Sequence, residues 1–351
     1  MLSNNLEKVG YKLGRGWQLD NNASKGEAIL FQRITRDQHS TRWYIATNKK
    51  TTALLTPPPT LAGVGSIVDY KRQQLLYFRE QGIACYDFAE KKERLLVPLD
   101  TNLFRARRFW LDSKEDILYY IRQEYSPTWK VLLSKREKQN AVRMKVSHVL
   151  LKYSFKTGVS QVITDFGANH SGGVADIRCG VFYAQSGQTI SIVDIHSGRI
   201  VKELHEQNIV KITLAPRGKA IIWGLYSPLA YQINSGGSKT NSGFKGVFPS
   251  FSSDGKKLAF WDRTGAFYVA GKQGKPVCAL VLPLTESTDV IRFSPALWCH
   301  CNEHIAIPLN ISLPGNRRDV ILCVLNIEEK TLTLCSHNVL DYGFAPSECD
   351  P

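Results

Sequence analysis

The sequence predicts an all-β fold: a single seven-bladed β-propeller whose blades are four-stranded antiparallel sheets. Three observations lead to this prediction. Strand-like apolar segments recur at a nearly regular spacing, short polar turns separate them, and long helical patterns are missing from the sequence. A single blade cannot bury both of its faces, whereas a blade stacked between two neighbours can.

The repeat is clearest in the second strand of each unit. Seven such strands begin at Ala28, Leu75, Ile117, Gly180, Ala220, Leu258 and His304. Successive starts are therefore 47, 42, 63, 40, 38 and 46 residues apart. This spacing predicts one domain over residues 1–351, with blades at about 10–60, 61–100, 101–168, 169–207, 208–246, 247–287 and 288–351.

A third and a fourth strand follow in most units and are joined by a short turn. TISIVDIHSGRIVKEL, beginning at residue 189, is a clear case, with the turn HSG between two β-branched segments. Glycine in such a turn adopts a positive φ angle at low steric cost, and β-branched residues favour strands. These pairs predict that the outer half of each blade is a hairpin.

One stretch carries a family resemblance. VFPSFSSDGKKLAFWD, residues 247–262, resembles the repeat of TolB-like (PD40-type) propellers, which are related to WD40 repeats. Weaker copies occur at 212–224, 290–298 and 342–348, while the repeated Gly-His and Trp-Asp signatures of typical WD40 blades are missing. The resemblance implies the propeller fold and not the periplasmic role of TolB. From the residues themselves, Asp254-Gly255 reverses the chain, and Ser252 and Ser253 bond backbone groups that hold the turn.

The one long step of 63 residues indicates an insert in the third blade, residues 124–147. Insertions in repeat proteins often carry the specialised contact. We therefore interpret the insert as a basic arm for a partner, with the first strand of the blade adding arginines; the alternative is an elongated hairpin with a solvated charged tip. The candidate partner-binding residues are Arg105, Arg107, Arg108, Trp129, Lys130, Lys135, Arg136, Lys138, Arg143 and Lys145.

Composition bounds the function without naming it. The chain carries a formal net charge of +14, which favours an anionic partner. The sequence has no nucleophile elbow, no zinc-protease helix and no phosphate-binding loop. We therefore predict a non-enzymatic scaffold for protein–protein interactions, in a larger complex. The alternatives are a binder of nucleic acid or another polyanion, and an enzyme with its site at the mouth of the central channel.

A weak zinc candidate lies in WCHCNEH, residues 298–304. Cys299, Cys301 and His304 offer two thiolates and an imidazole, which are the ligands that zinc selects, and His300 and Glu303 are close by in sequence. The spacing Cys-x-Cys-x-x-His differs from the usual paired pattern of structural zinc sites. An ordinary turn of a blade hairpin is the alternative, and no other cofactor is predicted.

The eight cysteines fall mostly in apolar segments, and the first residues lack the apolar core of an export signal. No apolar segment is long enough to span a bilayer. The sequence therefore predicts a cytoplasmic protein with reduced, buried thiols.

Two irregularities complete the prediction. The Gly- and Ser-rich residues 235–246 lie where the fourth strand of the fifth blade is expected, and indicate either a mobile loop or a poorly formed outer strand. After the last blade, Val339–Phe344 looks like a first strand. We expect it to close the ring by pairing with the N-terminal blade, with GWQLD, which begins at Gly16, as the competing strand.

Overall fold

The computed structural model of the chain divides into two compact units. One unit comprises residues 1–58 and 208–351, and the other residues 59–207. The described residues are 11–20, 29–34, 41–46, 51–53, 66–79, 81–99, 104–112, 114–125, 146–167, 172–176, 179–205, 211–215, 219–223, 231–234, 236–241, 246–271, 275–282, 295–299, 301–313, 317–336 and 339–344.

Strands make up nearly all of the regular structure in these ranges. The first unit begins with β1 Lys12–Leu13, β2 Gln18–Leu19, β3 Ile29–Ile34, β4 Thr41–Ala46 and β5 Thr51–Ala53. The second unit contains β6 Ile67–Asp69, β7 Gln74–Arg79, β8 Gly82–Asp87, β9 Lys92–Pro98, β10 Phe104–Asp112, β11 Ile117–Tyr125, β12 Val146–Ser154, β13 Ser160–Asp165, β14 Gly172–Asp176, β15 Val181–Ser186, β16 Thr189–Asp194 and β17 Ile200–His205.

The first unit then resumes with thirteen further strands. They are β18 Lys211–Ala215, β19 Lys219–Trp223, β20 Tyr231–Ile233, β21 Lys239–Asn241, β22 Val247–Phe251, β23 Lys257–Trp261, β24 Ala266–Gly271, β25 Val277–Val281, β26 Leu297–Trp298, β27 His304–Leu313, β28 Arg317–Asn326, β29 Thr331–Ser336 and β30 Val339–Phe344. No helix in the described ranges has the length and apolar character needed to cross a membrane.

Each sheet is built mainly from strands that are consecutive in the chain. The second unit contains three four-stranded sheets, with the orders β6-β7-β8-β9, β10-β11-β12-β13 and β14-β15-β16-β17. The first unit contains four sheets, with the orders β18-β19-β20-β21, β1-β25-β24-β23-β22, β2-β29-β28-β27-β26 and β30-β3-β4-β5. The prediction of an all-β fold made of repeated antiparallel sheets is confirmed. The number of blades in a closed ring stays a prediction.

The N-terminal residues join sheets that form late in the chain. As predicted, β30 pairs with β3, in antiparallel register from Ile29↔Phe344 to Arg33↔Val339. The competing segment, which contains β2, pairs in a way that the sequence did not indicate: β2 pairs parallel with β29, and β1, just before it, pairs antiparallel with β25. These short strands cover the outer edges of two sheets, which would otherwise present unpaired backbone groups.

The Gly-rich segment forms a short outer strand. Three-residue strands β20 and β21 pair from Tyr231↔Asn241 to Ile233↔Lys239. The turn between them is closed by Asn234, whose side-chain oxygen accepts the Ser238 N–H at 2.9 Å, and Gly237 has a φ of 76°. Of the two alternatives, a weak outer strand is therefore the one observed.

A side-chain cap recurs at the turn between the third and fourth strands. Asp87 and Asp194 each end a third strand and accept two backbone N–H groups of the following turn at 2.8–2.9 Å. Asn326 makes the same two bonds at 3.1 Å. Four residues after each cap the backbone adopts a positive φ, at Lys91, Gly198 and Lys330. Polar caps of this kind replace backbone bonds that the turn cannot make.

Turns between the first and second strands also touch the equivalent turn of the next sheet. In the second unit, Lys71 of the turn after β6 donates to the Asp116 carboxylate at 2.8 Å, and Arg72 pairs with the same carboxylate. Asp116 follows β10 and has a φ of 59°. Asp and Asn are the side chains that tolerate this conformation best after glycine.

The core of each unit consists of large side chains from the inner strands. In the first unit, Trp261 is fully buried, and its ring lies 4.9 Å from that of Phe267. In the second unit, Phe78 of β7 and Phe109 of β10 meet edge to face at 4.7 Å and so join neighbouring sheets. Aromatic pairs of this geometry add to the free energy gained from burial alone.

Replacing Trp261 by alanine should therefore strongly destabilise the first unit. We expect Trp261→Ala to lower the free energy of unfolding by about 3–5 kcal/mol, because it removes a fully buried ring and leaves a cavity. Urea denaturation followed by circular dichroism measures the change. The matched control is Val277→Ala on the exposed outer strand of the same sheet, for which a change within about 0.5 kcal/mol is expected. Equal effects of the two substitutions would contradict the assignment of this core.

The capped turns also predict how stability depends on pH. Backbone N–H donation from Glu90, together with the Gln74 side chain, lowers the pKa of Asp87, and donation from Ser197 and His196 lowers the pKa of Asp194. A carboxyl whose pKa is lowered by folding stabilises the protein fully above its unfolded value, which is about 3.9. That contribution is lost as the pH falls toward the lower, folded value.

Asn326 caps the equivalent turn with a side chain that does not titrate, which provides a test of this pH dependence. Asp87→Asn keeps the acceptor and removes the titration, so the loss of stability between about pH 5 and pH 2 should become shallower. Asn326→Asp should make the same loss steeper. Urea midpoints measured across this pH range test both changes, and parallel profiles for wild type and both variants would contradict the prediction.

Candidate functional site

Two turns of neighbouring sheets in the first unit form the candidate site. Residues 252–257 connect β22 to β23, and residues 299–304 connect β26 to β27. In the 252–257 turn, the Ser252 hydroxyl accepts the Lys257 N–H at 2.9 Å and donates to the Asp254 carboxylate at 2.7 Å. The same carboxylate accepts the Lys256 N–H at 3.0 Å. Two side-chain oxygens therefore organise this turn, in keeping with its interpretation as structural.

The 299–304 turn repeats this scheme with sulfur in place of oxygen. Cys299 Sγ accepts the His304 N–H at 3.2 Å, and Cys301 Sγ accepts the Glu303 N–H at 3.4 Å. The backbone bonds correspond as well: Cys299 N–H donates to the His304 carbonyl at 3.0 Å, as Ser252 N–H does to the Lys257 carbonyl. Asn302, with a φ of 62°, occupies the position of Gly255, with a φ of 69°. At the described positions, which leave out residue 300, the two turns therefore have the same hydrogen bonds and the same positive φ.

The two turns are bonded to each other. The Asn302 side-chain oxygen accepts the Ser253 N–H at 2.7 Å and the Ser253 hydroxyl at 2.9 Å. Lys257 Nζ donates to the Asn302 carbonyl at 2.8 Å, and Trp298 Nε1 donates to the Ser250 carbonyl at 3.0 Å. Sequence analysis missed Asn302. The available signal was an asparagine at the position that glycine occupies in the 252–257 turn.

The 299–304 turn brings the three predicted zinc ligands together. One ligand atom from each of Cys299, Cys301 and His304 lies within 4.8 Å of the other two, and no other such group occurs among the described His, Cys, Asp and Glu residues. His304 Nδ1 is 3.6 Å from Cys301 Sγ. Cys299 and His304 are 1% and 7% exposed, whereas Cys301 is exposed. The cluster is therefore buried on one side and open to solvent on the other.

Burial also favours the ligand form of the histidine. Loss of solvent around the imidazole lowers the pKa of His304, against an opposing effect of the carboxylates of Glu303, Glu329 and Glu328. A neutral imidazole has a free nitrogen lone pair, which is what a metal ion requires. The carboxylates contribute negative charge nearby, which favours a cation.

The prediction of reduced thiols is wrong for this pair. Cys299 and Cys301 are joined as a disulfide in the structure, while Cys85, Cys179, Cys278, Cys323 and Cys335 form no disulfide. Cys349 and His300 lie outside the described residues. Cys299 and Cys301 do not belong to a strand, because β26 ends at Trp298. The tight turn, and not a strand, brings the two sulfurs together.

The structure describes only the two ends of the predicted basic insert, residues 124–147. Strands β11 and β12 are the second and third strands of their sheet, and they remain paired to the register Tyr125↔Val146, where the insert begins. Trp129, Lys130, Lys135, Arg136, Lys138, Arg143 and Lys145 lie outside the described residues.

The three predicted arginines of the insert's sheet belong to its first strand. Arg105, Arg107 and Arg108 lie in β10, and the pairing with β11 shifts between Ala106 and Arg108, so Arg107 falls at the irregularity. The structure describes the backbone of these three arginines and not their side chains. Nothing in the structure therefore tests these ten residues as a partner-binding surface.

Comparison with known proteins identifies the fold and no family. No family model matches the chain. No curated protein matches it either. The TolB-like resemblance of the 247–262 segment therefore stays a prediction.

Solved structures with the same architecture are numerous but distant. A candidate 6-phosphogluconolactonase from Bacteroides fragilis is 8% identical, with a TM-score of 0.55, over 93% of this chain and 99% of that one. A dihydro-heme d1 dehydrogenase is 8% identical, with a TM-score of 0.52, over 95% of this chain and 77% of that one. Hsv2 of Kluyveromyces lactis is 9% identical, with a TM-score of 0.48, over 76% of each chain. At such identities the likeness concerns the fold alone, and on that basis the chain has the all-β architecture of the β-propellers.

Proposed function

We propose that the protein is a non-enzymatic interaction module that presents the basic insert, residues 124–147, to a protein partner with an acidic surface. The proposal includes two further points: the sheets form a single ring of seven blades, and the protein is located in the cytoplasm. The non-enzymatic character rests on the catalytic motifs that are missing from the sequence. Rigid sheets suit this role, because a partner that binds a preformed surface orders few side chains.

The supporting observation is the hairpin that carries the insert. Strands β11 and β12 each contain nine residues, whereas the corresponding strands of the neighbouring sheets, β7, β8, β15 and β16, contain six. Three extra residues lengthen a strand by roughly 10 Å. The hairpin is therefore longer than its neighbours at the end where the insert begins.

Charge supports an anionic partner. The insert carries six basic side chains against two acidic ones, Glu124 and Glu137. Glu124 already forms an ion pair with Arg122 on the same strand, so it offsets little of the positive charge of the insert. A concentrated positive segment accelerates association with an acidic surface and orients it.

A second candidate function, binding of nucleic acid, is favoured by the net charge of +14. Phosphate contacts would make the affinity fall steeply with added salt. The logarithm of the association constant, plotted against the logarithm of the salt concentration, would have a slope of about −0.9 for each phosphate of duplex DNA that the protein neutralises. A protein surface with a few acidic side chains gives a weaker dependence, because it releases few condensed counterions.

Charge reversal within the insert tests the proposal. We expect Lys135→Glu, Arg136→Glu and Lys138→Glu together to reduce the amount of each specifically captured partner protein roughly tenfold or more, since both attraction and steering are lost. The measurement is quantitative mass spectrometry of proteins that the immobilised full chain captures from an extract of its own cells.

The matched control reverses three exposed lysines on outer strands or next to them, Lys92, Lys202 and Lys275. It changes net charge by the same amount and should leave capture unchanged. Equal losses in both variants would show that the insert has no special role. Loss of capture after nuclease treatment of the extract would favour the second candidate over the proposed one.

A further inference from the structure

We infer that the 299–304 turn, when its thiols are reduced, binds one Zn²⁺ ion through Cys299 Sγ, Cys301 Sγ and His304 Nδ1. This site lies in the other unit from the basic insert, and it does not depend on the proposed function.

The 252–257 turn shows which side chains this backbone conformation requires, and the 299–304 turn differs from it in the side chains that could bind a metal. The 252–257 turn shows that serine and aspartate at the first and third positions are sufficient to hold this backbone. Cysteine at both positions is therefore not required by the turn. Together with His304 in place of Lys257, it replaces two oxygens and an ammonium by two sulfurs and an imidazole. Sulfur and imidazole are the ligands that select zinc over harder cations.

The turn also provides outer contacts for charged sulfur. The backbone N–H groups of His304 and Glu303 point at Cys299 Sγ and Cys301 Sγ. Such N–H donors stabilise negative charge on the atom that accepts them, and a metal ligand needs this charge. No two of the three ligand atoms are more than 4.8 Å apart, and the two sulfurs, which are bonded in the disulfide, have only to separate to the roughly 4 Å between ligands of one tetrahedral ion.

Access from solvent is open on one side only. Cys299 and His304 are buried, while Cys301 is exposed, so an ion can enter from the side of Cys301. Three protein ligands leave one of four tetrahedral positions for water or for a group from another molecule. The Asn302 contacts with Ser253 and Lys257 fix the turn against the neighbouring sheet, so binding requires little reordering of the backbone.

The disulfide and the metal site exclude each other, because one sulfur pair cannot serve both. Reduction by a water-soluble phosphine breaks the S–S bond: the phosphine gives up two electrons, becomes the phosphine oxide with oxygen from water, and the two sulfurs take up the two protons. Zinc binding then displaces these protons. We therefore expect metal binding only in the reduced chain.

Cobalt titration of the phosphine-reduced full chain is the test. Co²⁺ takes tetrahedral zinc sites and gives a sulfur-to-cobalt charge-transfer band that is diagnostic for thiolate ligands. We expect this band to saturate at one equivalent and to be displaced by Zn²⁺. Absence of the band in reduced protein, or its presence in the untreated disulfide form, would overturn the inference.

The decisive variant copies the neighbouring turn. Cys299→Ser combined with Cys301→Asp should keep the fold, as judged by circular dichroism, because the 252–257 turn uses these side chains. It should abolish the band and weaken Zn²⁺ binding by more than about 100-fold, the upper end of what loss of a mere outer-shell partner costs. The control Cys179→Ser removes an exposed thiol outside the disulfide and should change neither measurement.

The variant His304→Gln distinguishes a metal site with three protein ligands from one that is formed by the two cysteine thiolates alone. We expect it to weaken Co²⁺ binding at least tenfold and to shift the visible bands that report the coordination geometry. Unchanged spectra and affinity in this variant would show that His304 is not a ligand and would overturn the proposed ligand set. A band that persists in the double variant would place the bound metal elsewhere.

Discussion

The inner strands of these sheets are buried on both faces, and most other features depend on this constraint. Along β7 the successive residues Leu75 and Leu76 point to opposite faces, yet neither is exposed. A strand of this kind needs a packed layer on each side. Repetition of similar sheets supplies those layers, and the nearly regular spacing in the sequence is the consequence. Turns of neighbouring sheets also touch one another, so their backbone conformation is constrained.

That requirement explains why turns of different sheets resemble one another in conformation but not in composition. Turn geometry fixes where a polar atom has to be and where φ is positive, and several side chains satisfy both. Asp116 and Asn302 occupy positive-φ positions and receive donors from the preceding turn. The fold therefore leaves the chemistry of a turn free to vary. At residues 299–304 that freedom has produced a cluster of sulfur and imidazole, which the fold alone does not call for.

The sequence was informative wherever a pattern extended over many residues. The repeated second strands and the pairing of Val339–Phe344 with the N-terminal sheet both followed from apolar periodicity and spacing. Two-residue strands such as β1 and β2 carry no periodic signal, so their pairing with distant edges could not be predicted. The segment WCHCNEH left open whether Cys299 and Cys301 belong to a zinc site or to an ordinary hairpin turn. The sequence does not show that β26 ends at Trp298, which is what places both sulfurs in the turn.

The pairing of early strands with late ones has a consequence for synthesis. Strands β1, β2 and β3 leave the ribosome first, but their partners, β25, β29 and β30, follow about 250 or more residues later. At a typical elongation rate, β1 and β2 wait for tens of seconds before they can be paired. Strand β3 can pair with β4 at once, but its other edge stays open until β30 has been made. Assembly of the first unit is thus a late event of high contact order, and the early strands are the part of the nascent chain that most needs protection from aggregation.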